Sequence, residues 1–458
     1  MSDNKNMENN LSEGSVLKKM ILFALPFLVS NIVQSFYNVA DMLIVGNFCD
    51  SASMSGVNIG GQVTFILTNI VIGLSMGATV LIGQYVGAGN RDALKKVTAT
   101  IITLLLAVGL VMTVLMLIFK NPVLHLIRTP EESFAESDRY LAVTVVGIVF
   151  IFGYNALSAI LRGMGDSKRP FYFVLAACIT NIVLDLLFVA VFKWSAFGAA
   201  LATVISQAMS MFLCVWYMIK NGFIFDFKPR SFKINKTQLG LIFKIGLPTC
   251  IQNSITSFSF LFLTAMVNII GGVSASAAVG AAGKIASFAF MPALALSASV
   301  STMSAQNIGA NRLDRAVKAC QIGCIASAVI TFVLFAVVQA FPRQLLMLFG
   351  DDPQMVIDGV EYLRYFSYDF LIIPFVFCIN GLLIGGGHTM FTLRTNIFSA
   401  VVLRVPFCYL LAVVFNQGIA GVAISTPLAS FGTVLIIIAY LFTGKWKRNV
   451  INTVPIEM

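Results

Sequence analysis

Four polar side chains interrupt an otherwise apolar stretch at residues 30–46, SNIVQSFYNVADMLIVG. They are Asn31, Gln34, Asn38 and Asp41, and their spacing of three, four and three residues places them in one stripe of a helix. A stripe of amides and a carboxylate cannot face hydrocarbon cheaply, so it is expected to face other helices or a water-filled cavity. The stripe predicts a polar site, and an acid within an apolar helix is a candidate to hold a proton or a cation.

Two later apolar segments offer partners for Asp41. Asn181 and Asp185 are four residues apart and share a helix face, and Thr203 lies in the segment that follows. Two carboxylates close together in a dry pocket cannot both stay ionised without a cation. Such a pair can hold a proton or, with Asn and Thr oxygens, a Na⁺ ion. No other metal site is expected.

The segments around these residues are those of an integral membrane protein. Of the 458 residues, 58% are hydrophobic and 11% are charged. A hydrocarbon core needs about 20 apolar residues per helix, and continuous runs of that length exclude barrel strands. The chain is therefore predicted to be all-α, with twelve transmembrane helices at about 20–46, 54–83, 97–119, 139–161, 170–192, 196–219, 245–271, 276–305, 317–342, 362–386, 393–415 and 418–442.

The distribution of Lys and Arg predicts the orientation. With both termini in the cytoplasm, the inner segments hold 22 of these residues and the outer segments six. The net charge of +10 therefore comes from basic residues in the cytoplasmic loops, where they can contact anionic lipid. No nucleic-acid partner is expected. The N-terminal residues lack the features of a cleavable signal peptide, so we expect a multi-pass protein of the plasma membrane.

The orientation also tests whether the acids can meet. Asp41 lies five residues before the outer end of its helix, Asp185 lies fifteen residues into its helix, and Thr203 lies seven residues in. At about 1.5 Å per residue, all three lie roughly 8–10 Å below the outer face. The sequence therefore predicts one cluster in the outer half of the membrane.

Other chemistry lacks the residues it would need. The eight cysteines form no CxxC pair, the two histidines stand alone in loops, and no phosphate-binding GxxxxGK[ST] loop occurs. No Ser/His/Asp set suggests catalysis. We therefore expect neither an enzyme nor a bound cofactor.

The chain repeats itself at an offset of 222 residues. Pro26 aligns with Pro248, and the motif Gln-x-x-Gly-Ala at Gln84 aligns with the same motif at Gln306. Two six-helix halves that start on the same side are parallel repeats, an arrangement characteristic of secondary transporters. The predicted organisation is a cytoplasmic segment 1–19, an N-lobe 20–219, a cytoplasmic linker 220–244, a C-lobe 245–444 and a cytoplasmic tail 445–458.

Several motifs together resemble the multidrug and toxin extrusion (MATE) family. They are Ala-Leu-Pro26 and Val39-Ala-Asp41 in the first helix, the two Gln-x-x-Gly-Ala motifs, Arg162-Gly-Met-Gly-Asp after the fourth helix, and Arg404-Val-Pro in the eleventh. The resemblance covers about residues 18–444. It implies an exporter driven by H⁺ or Na⁺, in which two lobes rock between inward- and outward-facing states.

The resemblance also implies roles for individual residues. Asp41, Asn181, Asp185 and Thr203 match the family positions that surround the coupling cation. Asp41 and Asp185 are replaced in the second half by Leu263 and Phe407, so coupling is expected to reside in the N-lobe. Acids used by NorM-like members in the seventh and tenth helices are mostly missing, which makes the DinF-like branch the closer match.

Other residues of the first helix have weaker assignments. Asn31, Gln34, Tyr37 and Asn38 are candidates for the substrate path, although interhelical amide bonds are the equal alternative for the amides. Pro26 removes a backbone hydrogen bond and is a candidate bend point that responds when Asp41 takes up a proton. A static kink is the alternative.

The C-lobe carries three charges within predicted spans. Lys284 and Asp369 have similar predicted depths, and an ion pair between them is the preferred interpretation over a substrate contact. Arg404 lies near the middle of its helix. It could anchor helix ends or bind an anion, and both interpretations stay open.

The function expected from these features is secondary active efflux. A monomer in the lipid bilayer would exchange cytoplasmic cationic or amphipathic drugs or metabolites for H⁺ or Na⁺ by alternating access. A lipid-linked oligosaccharide or lipid II flippase is the first alternative, because Lys284 and Arg404 could serve a pyrophosphate. A non-transporting membrane sensor or assembly protein is the second.

Overall fold

The structure, a computed structural model, describes residues 9–350 and 352–447, so parts of the predicted terminal segments 1–19 and 445–458 lie outside the described residues. The first half of the chain forms six long helices. They are α1 Val16–Phe48, α2 Ser51–Gly87, α3 Arg91–Leu126, α4 Glu131–Gly163, α5 Lys168–Asp185 and α6 Ser195–Lys220. A π-helical turn, Leu186–Val191, continues α5.

The second half repeats the pattern with more interruptions. Its helices are α7 Lys236–Gly309, α8 Leu313–Ala340, α9 Pro342–Met347, α10 Pro353–Phe366, α11 Asp369–Gly385, α12 Thr389–Ile397, α13 Val405–Tyr409 and α14 Gly418–Phe442. Two π-helical segments, Phe398–Arg404 and Leu410–Val414, flank α13. Together with α12 and α13 they form one continuous apolar helical segment, Thr389–Val414. Short 3₁₀ turns occur at Pro229–Ser231 and Lys445–Lys447.

The helices supply the twelve predicted spans. In the described part of the chain, ten helical segments are long and apolar enough to cross a membrane, and the pair α10 and α11, bent by 47°, adds an eleventh. The long α7 is broken at Gly272, whose φ of 65° and ψ of −150° are not helical, so α7 comprises two spans. A positive φ favours glycine because it has no Cβ. The all-α fold is thereby confirmed, and the predicted boundary between spans seven and eight is this single residue.

The helices group into two compact units whose boundaries differ from the predicted lobes. Residues 25–246 form the body of the first unit, and the second unit comprises residues 11–24 together with the chain from Leu247. The start of α1 and the start of α7 thus each pack in the unit formed by the other half. The two crossover points, after residues 24 and 246, are separated by the 222-residue offset of the repeat.

Specific contacts anchor each exchanged segment. In the second unit, Val16, Met20 and Phe23 belong to a buried apolar cluster, and the Ser299 hydroxyl donates to the Met20 carbonyl at 3.3 Å. In the first unit, a Cβ on Gly77 would lie 2.6 Å from the Ile242 carbonyl, so α2 and the start of α7 meet backbone to backbone. Close approach at small residues is how membrane helices gain packing energy.

The first unit is built around α4. Two-thirds of the apolar window of α4 is buried within the protein, compared with about one-third for α1 and α3. Gly147 lets α4 approach α6, because any Cβ there would overlap a Val204 methyl group. The helix starts are also fixed locally: Asp50 and Asn90 accept hydrogen bonds from backbone N–H groups at the starts of α2 and α3. This frame holds the predicted polar residues of α1, α5 and α6.

Candidate functional site

The structure brings the four predicted cation-site residues together in the first unit. Asp41 lies on α1, Asn181 and Asp185 lie on α5, and Thr203 lies on α6. Asn181 and Asp185 are fully buried, and Asp41 is half-buried. The carboxyl groups of Asp41 and Asp185 lie within hydrogen-bonding distance of each other. Three helices that are distant in sequence thus converge on one pair of acids.

Polar contacts hold this carboxyl pair in place. With its amide oriented by its neighbours, Asn181 donates to Oδ2 of Asp185 at 2.8 Å, and its oxygen accepts from the Thr203 backbone N–H at 3.3 Å. The Thr203 hydroxyl lies 3.3 Å from the Tyr37 hydroxyl. Thr203 of α6 therefore contacts the Asn181 amide through its backbone and the Tyr37 hydroxyl through its side chain. We call Asp41, Asn181, Asp185 and Thr203 the acid cluster.

The acid cluster retains unused oxygen atoms. Oδ1 of Asp41 and Oδ1 of Asp185 are both inaccessible to solvent and have no hydrogen-bond partner in the described part of the chain. Neither carboxylate forms an ion pair with a basic side chain there. Leaving buried carboxylate oxygens unpaired is costly, so the geometry suits a proton or a monovalent cation between them.

Tyr140 of α4 joins this cluster, although it was not among the predicted site residues. Its side chain is 6% exposed and interacts electrostatically with Asp41, Asp185 and Tyr37. α2 leaves room for the ring at Gly60, where any Cβ would overlap it. The predicted span began at residue 139, which put Tyr140 at a helix end, whereas α4 begins at Glu131. The sequence did hold one indication that Tyr140 matters: the equivalent position of the second repeat is also a tyrosine, Tyr362.

A cavity of about 200 Å³ lies beside the acid cluster. Three of the predicted substrate-path residues, Gln34, Tyr37 and Asn38, line it, and Tyr37 also touches Thr203. Asn31 is not in the lining, and its carbonyl accepts from the Ser35 hydroxyl at 3.0 Å. The rest of the lining comes from α2, α4, α5 and α6 and is apolar or polar without charge. It includes Thr68, Tyr154, Asn155, Cys178 and Gln207.

The predicted ion pair between Lys284 and Asp369 is wrong. Lys284 is exposed, and its Nζ lies 5.9 Å from the centre of the Phe349 ring. Asp369 is buried, accepts a hydrogen bond from Ser430 and has Arg404 as its electrostatic neighbour. Similar depth did not bring Lys284 to Asp369, because depth does not specify the direction in which a side chain leaves its helix.

Pro26 lies within a continuous helix. α1 runs through it, and the Ser30 hydroxyl donates to the Pro26 carbonyl at 2.8 Å. Pro26 is also the second residue after the point where α1 passes from one unit to the other. Its role as a bend point stays a prediction.

Comparisons with known proteins agree with the repeat and the fold. The family model described as MatE matches twice, at residues 26–187 and 248–410. The chain is 31% identical over 448 residues to the probable multidrug resistance protein YoeA of Bacillus subtilis, covering 96% of each chain. It is 27% identical to the probable multidrug resistance protein YpnP of the same organism, covering 96% of this chain and 97% of that one.

A solved structure has the same fold. It is the outward-facing conformation of a multidrug resistance MATE family transporter of the MOP superfamily, with a TM-score of 0.89 and 23% identity over 98% of this chain and all of that one. The DinF-like branch assignment stays a prediction. The duplicated match, the full-length relatives and the shared fold together establish that this chain belongs to the MATE family of membrane transporters and is not an enzyme.

Proposed function

We propose that this transporter exports cationic or amphipathic drugs or metabolites from the cytoplasm in exchange for H⁺ or Na⁺. The observation that carries the proposal is the acid cluster, whose two carboxylate oxygens are unpaired in the described part of the chain, next to a cavity lined by Tyr37, whose hydroxyl lies 3.3 Å from that of Thr203. The relatives named as probable multidrug resistance proteins support the substrate class.

Exchange requires that the ion and the substrate compete or favour different states. In the outward-facing state, the acid cluster takes up H⁺ or Na⁺, which removes its negative charge. A cationic substrate in the adjacent cavity then loses electrostatic attraction and leaves. After return to the inward-facing state, release of the ion restores the charge and the affinity for the next substrate.

The flippase alternative receives less support. A pyrophosphate would need basic side chains, and the residues that line the cavity beside the acid cluster include no Lys, Arg or His. Lys284 and Arg404 are the two cations considered for that role, and they have different environments. Lys284 is exposed over the Phe349 ring, whereas Arg404 is buried and interacts with Asp369.

The first test is transport in inside-out vesicles with pH and Na⁺ gradients imposed separately. Asp41→Asn removes one carboxylate without changing shape, and we expect it to lower dye transport at least tenfold. The matched control is Asp314→Asn, the same chemical change at an exposed position in the first turn of α8, and it should transport at the wild-type rate.

Full activity of Asp41→Asn would contradict the coupling role. A wild-type protein that reaches the membrane and transports none of a panel of cationic dyes under either gradient would favour the non-transporting sensor or assembly protein. The gradient that drives the wild-type protein identifies the coupling ion.

A further inference from the structure

A second buried polar cluster lies in the second unit. Asp369 at the start of α11 is 1% exposed, and Arg404 at the end of a π-helical segment is 9% exposed. Tyr362 of α10 is buried beside both and interacts electrostatically with each. These charges lie within the apolar part of the unit, where an uncompensated charge is expensive.

The contacts of Arg404 are incomplete. Its Nη1 donates to the Ser259 hydroxyl at 3.4 Å, and its Cζ lies 4.7 Å from the centre of the Phe260 ring, within cation–π range. Its Nε has no hydrogen-bond partner in the described part of the chain. A buried guanidinium with a free donor needs a negative charge nearby.

Asp369 supplies that charge. Ser430 donates to its carboxylate, and its Oδ1 has no partner in the part of the chain that the structure describes. Asp369 and Arg404 interact electrostatically, although they do not reach ion-pair contact distance. In the described part of the chain, Tyr362 is the titratable side chain that interacts with both, and Cys408 in turn interacts with Tyr362. Among the described residues, Arg404 is thus the basic side chain whose charge acts on Asp369, from beyond ion-pair distance.

The 222-residue repeat allows the surroundings of Asp369 and Arg404 to be compared with those of the acid cluster. At an offset of 222 residues, Tyr362 corresponds to Tyr140, and Ser259 corresponds to Tyr37. Two groups that surround the acid cluster in the first unit therefore have counterparts that surround Asp369 and Arg404.

The charges themselves come from different positions. The counterparts of Asp41 and Asp185 are Leu263 and Phe407. Asp369 and Arg404 correspond instead to Gly147 and Ile182. Gly147 could not be an Asp in the first unit, because a Cβ there overlaps Val204.

The backbone around Arg404 also differs between the units. The π-helical segment Phe398–Arg404 corresponds to residues 176–182, which are α-helical in the first unit. π-helical segments inside α-helices often mark functional sites, since the extra residue per turn re-aims a side chain. The segment ends at Arg404 and is the local feature that sets its position.

We propose that Arg404 is a resident cation, fixed to the protein, that fills in the second unit the place taken by the transported ion in the first. Asp369 is then neutralised permanently, and the second unit binds no transported cation. The comparison with the acid cluster rests on the function proposed above, whereas the pairing of Asp369 with Arg404 does not. Arg404 is therefore a residue that determines which half of the molecule is coupled to the ion.

The test uses the full-length purified protein in detergent and measures the melting temperature, Tm. Each variant is compared in choline chloride and in NaCl of equal ionic strength at pH 8, and again in choline chloride at pH 6. Arg404→Met should lower the Tm in choline at pH 8 by several degrees, because it leaves a buried carboxylate without a positive charge nearby. Na⁺ or pH 6 should restore most of that loss.

The double variant Arg404→Met, Asp369→Asn is the matched control. It buries no net charge, so its Tm should lie above that of Arg404→Met in choline, and its response to Na⁺ and pH should equal that of the wild type. If Arg404→Met responds to Na⁺ and pH no more than the wild type, or if the double variant is less stable than both single variants, the proposal is wrong.

A second measurement does not depend on Arg404→Met. Asp369→Asn, with Arg404 retained, should keep the full wild-type response of the Tm to Na⁺ and pH, whereas Asp41→Asn should lose it. If Asp369→Asn loses as much of this response as Asp41→Asn, Asp369 itself takes the transported ion. If Asp41→Asn keeps the response, the function proposed for the acid cluster fails, and the resident-cation proposal is still judged by the Arg404 variants.

Discussion

Two carboxyl groups face each other in the first unit, and no basic side chain among the described residues is paired to either. Asp185 is fully buried and Asp41 is half-buried, and each has an oxygen atom that accepts from no donor in residues 9–350 and 352–447. Structural acids inside proteins are normally paired or hydrogen-bonded. The arrangement therefore stays balanced only with a proton or a cation, which is the property that ion coupling requires.

Tyr140 is expected to tune the affinity of this pair. Its hydroxyl lies near both carboxyl groups, so Tyr140→Phe removes a polar neighbour and keeps the ring. We expect the concentration of H⁺ or Na⁺ that gives half-maximal transport to change roughly three- to tenfold, the size of effect typical of removing one polar group from a buried site. The measurement is dye transport over a range of pH and Na⁺, with Tyr172→Phe, an exposed tyrosine, as the control.

An unchanged ion dependence in Tyr140→Phe would show that the tyrosine serves packing alone. A loss of folded protein would instead show that the hydroxyl stabilises the fold, because Tyr140→Phe keeps the ring that fills the space at Gly60.

At this scale the sequence predicted some contacts and missed others. Asp41, Asn181, Asp185 and Thr203 were expected together because the three-and-four spacing fixes a helix face and the rise per residue fixes depth. Lys284 was assigned the wrong partner because depth alone does not fix direction around a helix. Tyr140 was missed because hydropathy locates the apolar part of a span and not the polar turns that extend it.

Helix α4 organises the first unit, and small residues set its distance from its neighbours. The side chain of Val204 on α6 occupies the space beside Gly147, and a β-branched residue on a helix has little rotamer freedom to move away. Glycine at this position is therefore a packing requirement and not a source of flexibility.

Gly147→Ala should therefore destabilise the protein. Overpacking of a tight contact costs about 1–3 kcal/mol, so the Tm should fall by several degrees. Gly61→Ala on α2 is the control: a Cβ there would meet no atom of the described residues within 4 Å, and alanine should leave stability unchanged or raise it by about 0.5–1 kcal/mol. Val204→Ala added to Gly147→Ala should recover the loss. A Gly147→Ala protein as stable as the wild type would contradict the packing account.

The elements also show where prediction from sequence stops. Hydropathy predicted every span, because each must be long and apolar to cross a bilayer. It could not predict that α1 and α7 each begin in the unit formed by the other half, because hydropathy does not show which helices a segment packs against. It also placed a loop at residues 272–275, where one glycine breaks α7.

At the scale of the whole molecule, the two halves share a fold but differ in chemistry. The family match occurs once in each half, and the two matches start 222 residues apart, at the offset of the sequence repeat. Acids in the first unit are replaced by apolar residues in the second, which carries an Arg and an Asp from other positions. We therefore expect transport to be coupled to the ion through one half only. The cytoplasmic position of both termini and the monomeric state stay predictions.

The most direct test of this coupling is the release of H⁺ or Na⁺ when a cationic dye such as ethidium binds to the purified protein. In weakly buffered solution near neutral pH, the wild type should release about one H⁺ or one Na⁺ per dye bound, because substrate and ion compete for the same negative charge. Asp41→Asn should release neither, and Asp314→Asn should behave as the wild type. If the wild type binds the dye and releases neither ion, the acid cluster does not couple the ion to the substrate.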